Sequence, residues 1–131
     1  MKTYRTQSLE LVVRPDNIIE ATVPADWNQP DTVETTRENA LLLQKVIKGN
    51  RYAILTTVPS IHMNREIIEV YNEIETGQIA DALIVDSFGA RVLGNLALKV
   101  IKLNRPMRLF TDRAKAESWL LDILAEKNSS F

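Results

Sequence analysis

Two short apolar runs constrain the fold more than any other feature of this sequence. Residues 52–58 read YAILTTV and residues 82–85 read ALIV, so both runs consist mostly of aliphatic and β-branched side chains. Runs of this length and composition are typical of strands that are covered on both faces. Each run is followed by a segment with helical spacing of apolar residues. This alternation predicts β-α units and a parallel sheet with right-handed crossovers.

The residues before the first helix predict a β-hairpin. Leu9, Leu11 and Val13 recur with a period of two, and a second β-like run covers residues 18–23. Between them, residues 15–17 read PDN, in which proline fixes φ and the Asp and Asn side chains bond their own backbone. We therefore expect two antiparallel strands joined by a tight turn.

Capping residues set the limits of the first two predicted helices. Asp31 and Glu34 have the spacing of a capping box, and Gly49 suits a left-handed cap at the end of the same helix. Asn64 is expected to cap the second helix, which ends at Gly77. Residues 24–31 read PADWNQPD, with two prolines, and are interpreted as a break between the second strand and the first helix.

The remaining chain completes an α/β prediction. A third helix is expected over residues 89–104, a short strand over residues 106–110, and a last helix capped by Thr111 or Asp112. The sequence thus predicts a hairpin, a helix and three β-α units, with a mixed five-stranded sheet and four helices. With 131 residues, 45% of them hydrophobic, and no long linker, residues 1–131 are expected to form a single domain.

Composition argues against several classes of function. The formal net charge is −1, so no general basic field attracts a nucleic-acid backbone, and we expect no nucleic-acid partner. The absence of cysteine excludes disulfides, thiolate catalysis and sulfur-ligated zinc, and it suits a reducing compartment. No apolar run reaches the length of a membrane span, so the expectation is a cytoplasmic protein without an integral membrane segment.

The glycines of the third helix do not indicate a nucleotide site. Gly89 and Gly94 have the spacing of a P-loop, but Asn95 and Leu96 stand where that motif needs lysine and a hydroxyl residue. We interpret both glycines as allowing a tight helix start and close packing. A GxGxxG sequence is also absent, so the sequence predicts no bound cofactor.

Residues suited to catalysis are few. His62 is the only histidine, so one chain cannot supply two imidazoles to a metal, and nearby Ser60 does not by itself create a nucleophile-base geometry. Asp81 and Asp86 bracket a predicted strand and lie roughly 17 Å apart, which is too far for a carboxylate pair. We expect no enzymatic activity. The competing interpretation requires His62 or a carboxylate with an abnormal pKa in a cleft.

The order of strands and helices resembles the STAS fold of anti-sigma factor antagonists of the SpoIIAA type. The more specific likeness is confined to about residues 80–120, above all the RVLGN helix and the RLFTD strand followed by Trp119 and Leu120. This part resembles small bacterial SpoIIAA-like, STAS-related proteins of largely unknown function. The resemblance implies a regulatory fold more directly than it implies an activity.

The phosphorylation switch of those antagonists is not found at its expected place. Their switch serine lies in a DSSG-like motif that follows the third strand and opens the second helix, whereas residues 86–89, DSFG, follow the fourth strand and carry Phe88 at the second serine position. At the family's position the sequence is PSIHMNRE. There Asn64 and Arg65 fall near the switch positions, and Ser60 belongs to the loop before them. The resemblance thus implies a switch that is lost or replaced.

Two interpretations remain for the strand end at Asp86 and Ser87. Ser87 is expected to cap the third helix, and the alternative is a regulatory phosphoserine stabilised by the helix dipole. Asp86 is expected to accept backbone hydrogen bonds. The function predicted overall is a non-catalytic regulatory or protein-interaction domain, with a homodimer as a candidate assembly and Arg91 and Lys99 as candidate contacts. The alternative is a domain that senses a lipid or an anion near strand ends.

Overall fold

The fold is a mixed sheet with helices on both faces, seen in a computed structural model that describes residues 2–57, 65–87 and 105–126. These residues form the strands β1 (Lys2–Arg5), β2 (Glu10–Val13), β3 (Ile18–Thr22), β4 (Ala53–Thr57), β5 (Asp81–Ile84) and β6 (Met107–Phe110). They also form the helices α1 (Val33–Ile47), α2 (Arg65–Glu73) and α3 (Arg113–Glu126). No helix among these three ranges is both long and apolar enough to cross a membrane.

The sheet runs in the order β1-β2-β3-β4-β5-β6. Strands β1 to β3 are antiparallel neighbours and β3 to β6 are parallel, which confirms the predicted hairpin, the α/β class and the parallel later strands. The predicted count of five strands is wrong, because β1 adds a sixth. Its sequence KTYR has one large apolar side chain, Tyr4, so no alternating pattern marks it as a strand. The helix expected at residues 89–104 lies outside the described residues.

Consecutive residues of the strands supply the two sides of the core. Ile18 packs with Leu55 and Phe110 on the face covered by α3, whereas Ile19 packs with Leu11 on the face covered by α1. This division follows from the period of two in a strand, which points neighbouring side chains to opposite faces. Helix α2 packs beside α1. Both faces of the central strands are therefore buried, as their apolar sequences predict.

Helix α1 begins one residue later than the sequence predicts. Its N-cap is Thr32, whose hydroxyl accepts from the backbone N–H of Thr35 at 3.1 Å, while the Thr35 hydroxyl accepts from the N–H of Thr32 at 2.8 Å. The predicted box of Asp31 and Glu34 is wrong because these two hydroxyls already satisfy the free amides reciprocally. The helix ends at Ile47, and Gly49 follows with the expected left-handed φ of 75°.

The ends of the other two helices also differ in detail from expectation. Helix α2 ends at Glu73 rather than Gly77, because Thr76 beyond it turns inward and is buried. The expected cap Asn64 lies outside the described residues. At α3, Asp112 rather than Thr111 is the cap, since its Oδ1 accepts from the N–H groups of residues 114 and 115 at 2.8 and 3.3 Å.

A buried polar cluster holds the amino end of β5. The carboxylate of Asp81 accepts from the Arg105 guanidinium at 2.5 Å and from the Gln78 amide at 3.0 Å, and Thr76 donates to the Gln78 amide oxygen. Tyr71 of α2 lies close to these charges. Burial, assisted by negative charge that includes Asp81, raises the pKa of Tyr71 to about 12. The carboxyl end of β5 lies at the other end of this strand and lines a cleft.

Candidate functional site

A cleft open to solvent lies at the carboxyl ends of the parallel strands. Its volume is about 630 Å³, and the described residues that line it fall into two groups. The N-terminal wall consists of residues 22–25 and Trp27, which end β3 and follow it. The C-terminal wall consists of Thr57, residues 84–86 and Thr111, which end β4, β5 and β6. We call this site the carboxyl-end cleft. Ligands of open parallel sheets collect at this edge.

Strand register brings the polar groups of the cleft together. Thr22 is the register partner of Thr57, and Thr57 is the partner of Ile84, so one row crosses from β3 to β5. Residues in one such row share a face of the sheet. The backbone N–H of Val85 then donates to the carbonyl of Phe110 at 2.8 Å, which fixes the end of β5 against β6 beside Thr111. Three exposed threonine hydroxyls therefore lie along the strand ends.

A short loop positions Trp27 in the N-terminal wall. Pro24 is buried, and the backbone N–H of Trp27 donates to the carbonyl of Pro24 at 3.0 Å, which closes a turn. Pro24 supplies the accepting carbonyl, and Ala25 and Asp26 occupy the two central positions of the turn. The loop is also tied to β1, since the guanidinium of Arg5 donates to the carboxylate of Asp26 at 2.5 Å. The half-buried indole is thereby held at the edge of the cleft.

Asp86 carries the charge of the C-terminal wall. Its side chain is exposed, and it forms no ion pair with the residues that the structure describes. The neighbouring Asp81 is at the opposite end of β5, buried against Arg105. The two carboxylates thus act separately, as their spacing in the strand predicts. Ser87 follows Asp86, is exposed and has an interaction of its own.

Most of the other predicted site residues are not among those that the structure describes. Ser60, His62, Asn64, Arg91 and Lys99 lie outside the described residues, and Arg65 is the first residue of α2. The roles of these residues in binding a partner or in regulation stay predictions. Of the predicted residues that the structure describes, Asp86 lines the cleft. The roles proposed for Ser87, as a cap or as a phosphoserine, stay predictions.

The N-terminal wall and the threonines were not anticipated from the sequence. The segment PADWNQPD was interpreted only as a break between a strand and a helix. A tryptophan between two prolines in a loop is nevertheless a recognisable signal, because exposed aromatic residues on loops are common binding residues. The threonines carry no such signal. Thr57 and Thr111 are separated by 53 intervening residues in the sequence, and only the order of the strands in the sheet brings both of them to the cleft.

The chemistry of the cleft favours binding. Within residues 2–57, 65–87 and 105–126, no three His, Cys, Asp or Glu side chains form a group that could hold a metal ion. The threonine hydroxyls can donate and accept hydrogen bonds, the Asp86 carboxylate can accept them, and the indole of Trp27 offers an aromatic face. These groups can hold a partner of mixed polarity.

Comparison with known families adds an assignment without a function. Residues 30–124 match the family described as Domain of unknown function (DUF7793), and this match covers more than half of the chain. The chain belongs to the DUF7793 family. The matched range of this DUF7793 protein starts after Trp27, so it contains the C-terminal wall of the cleft but not the N-terminal wall. Searches of curated proteins and of solved structures give no match.

Proposed function

We propose that this DUF7793 protein is a regulatory module without catalytic activity, and that it binds a protein partner through the carboxyl-end cleft. The observation that carries the proposal is the composition of the cleft. Both walls mix apolar and polar side chains: the indole and aliphatic side chains lie beside Thr22 on the N-terminal wall, and two hydroxyls and one carboxylate lie beside Ile84 and Val85 on the C-terminal wall. Protein interfaces likewise combine aromatic and aliphatic contacts with polar groups.

The resemblance to STAS domains supports the regulatory part of the proposal. The sequence RLFTD, which carries much of that resemblance, forms most of β6 and the cap of α3. Relationship to the SpoIIAA-type antagonists, with their phosphorylation switch lost or replaced, is part of what we propose. We also propose a cytoplasmic location, which suits a chain without cysteine.

A small ligand is the second candidate occupant. The cleft volume of about 630 Å³ lies within the range of small-molecule sites, which is roughly 300–1,000 Å³. Such sites enclose most of their ligand, whereas this cleft is open to solvent. Because the cleft is open to solvent, we favour a protein partner over a small ligand.

Site-specific crosslinking in cells of the source organism tests the proposal. A photoreactive amino acid replaces Ala25, which is exposed in the N-terminal wall, and the crosslinked peptides are identified by mass spectrometry. The same amino acid at Leu121, an exposed residue of α3 outside the cleft, is the matched control. We expect one protein to be crosslinked from position 25 and not from position 121.

A substitution in the same wall shows whether that capture depends on the cleft. Trp27→Ala is expected to reduce it by about tenfold or more, because tryptophan is among the residues that most often dominate the binding energy of an interface. Leu121→Ala is the matched substitution and should leave capture unchanged. Capture that is equal from both crosslinking positions, or unaffected by Trp27→Ala, would contradict the proposal. A small molecule that copurifies with the protein and is lost on Trp27→Ala would favour the second candidate.

A further inference from the structure

The electrostatic character of the carboxyl-end cleft is set by one carboxylate. Among the described lining residues, Asp86 is the single one with an ionisable side chain, and the rest are threonines, aliphatic residues, proline and tryptophan. Its carboxylate is exposed and has no ion-pair partner in the described part of the chain. Within the described residues, a cationic group that enters the cleft therefore meets a carboxylate without an ion-pair partner.

Two basic side chains of the described residues beside the walls are already engaged in ion pairs. Arg5, beside the loop of the N-terminal wall, pairs with Asp26. Arg113, two residues after Thr111, pairs with Glu20. These ion pairs leave their guanidinium groups with a carboxylate already in place.

Among the described helices, the start of α3 beside Thr111 is also unsuited to an anion. The first turn of α3 has free backbone N–H groups that could bind a negative ligand. Here the carboxylate of Asp112 accepts from the N–H groups of residues 114 and 115, so an anion is already built into the chain at this place.

A further basic side chain, Arg108 of β6, lies over the ring of Phe110, with its guanidinium carbon 5.3 Å from the ring centre.

Trp27 and the threonines complete a site for a cation. An indole is the best aromatic partner for an ammonium or guanidinium group, because the ring face carries negative potential. The hydroxyl oxygens of Thr57 and Thr111 can accept hydrogen bonds from the same group. A carboxylate, an aromatic face and hydrogen-bond acceptors are groups that suit an organic cation.

We propose that the carboxyl-end cleft binds a lysine or arginine side chain of its protein partner. This inference rests on the proposed function and names the chemistry that the partner presents. The open form of the cleft favours a side chain carried by a polypeptide over a free amine, because flanking residues of the partner can contact the rim. Binding weakens as salt is added, since the charges lie in a solvated cleft.

Fluorescence titration of Trp27 tests this inference. Trp119→Phe leaves Trp27 as the reporter, since the chain has two tryptophans. The probes are four capped pentapeptides that differ only at a central arginine, lysine, norleucine or glutamate, together with free arginine amide. We expect the arginine and lysine peptides to bind at least about fivefold more tightly than the norleucine and glutamate peptides. The parent protein, titrated by NMR at the Trp27 indole N–H, gives the same comparison without a substitution.

Two charge substitutions connect the effect to Asp86. Asp86→Asn is expected to weaken binding of the arginine peptide by about fivefold and to reduce its salt dependence. Asp122→Asn, on the exposed side of α3, changes the net charge equally and should have no effect.

The results separate this inference from the proposed function. Equal affinity for all four peptides, no saturable binding of any peptide, or no effect of Asp86→Asn would overturn the inference. Crosslinking from position 25 that depends on Trp27 would still support a protein-binding cleft in those cases. Free arginine amide that binds as tightly as the arginine peptide would overturn the assignment of the cation to a polypeptide.

Discussion

Asp81 and Arg105 form the most deeply buried ion pair among the described residues. Their side chains are 7% and 10% exposed, and Gln78 donates to the carboxylate oxygen that Arg105 leaves free. A buried charge without its partner costs far more than an exposed one, because water cannot solvate it. The sequence showed Asp81 at the start of a strand. It did not show Arg105 as the partner, because that residue lies 24 positions away and is positioned only when β5 pairs with β6.

Removing one partner of this pair should strongly reduce stability. We expect Asp81→Ala to lower the free energy of unfolding by about 3–5 kcal/mol, because it leaves the Arg105 guanidinium buried without a carboxylate. Asp26→Ala removes the exposed pair with Arg5 and should cost no more than about 1 kcal/mol. Urea unfolding followed by circular dichroism measures both losses. Similar losses in the two variants would show that burial does not govern the energy of the pair.

Elements were predicted well where their signal is local. The hairpin, the central strands and the last helix follow from local patterns, because burial on one or two faces and capping residues leave a mark in the sequence. Strand β1 left no such mark. It is an edge strand, and its residues Lys2, Thr3 and Arg5 are exposed. The carboxyl-end cleft was foreseen only as a region, because its threonines depend on the register between distant strands.

The start of α1 gives a test at the level of one element. Two capping sequences overlap here, Asp31 to Glu34 and Thr32 to Thr35, and the structure uses the second. Thr32→Ala should lower the free energy of unfolding by about 1 kcal/mol, since it removes the acceptor for the Thr35 amide. Asp31→Ala is the matched control and should cost less. A larger loss with Asp31→Ala in thermal or urea unfolding would place the cap where the sequence alone suggested.

The whole molecule should show a gradient of stability across the sheet. Strand β4 is paired on both sides and its first three residues are buried, whereas β1 is paired on one side and mostly exposed. Amide exchange follows such differences, because peripheral elements open without global unfolding. We expect hydrogen exchange measured by mass spectrometry to be slowest in β4 and fastest, among the strands, in β1.

The same measurement addresses self-association. Lys2 and Arg5 put positive charge on β1, which disfavours pairing of this edge with the same edge of a second copy. Exchange in β1 that is as slow as in β4, and that speeds up on dilution, would contradict the expected gradient. It would instead place the interface of the predicted homodimer at this strand.

The two walls of the carboxyl-end cleft come from separate parts of the chain. The N-terminal wall ends at Trp27, before the family match begins at residue 30, and the C-terminal wall is contained in residues 57–111. The sheet that supports both walls is held by strand pairing and by the core, neither of which uses the indole. A graft of residues 22–27 into another member of the family would therefore transfer the whole N-terminal wall, five of the ten described lining residues, in six consecutive positions. Selectivity could then be redesigned on this scaffold as a loop exchange that keeps the buried Pro24 in place.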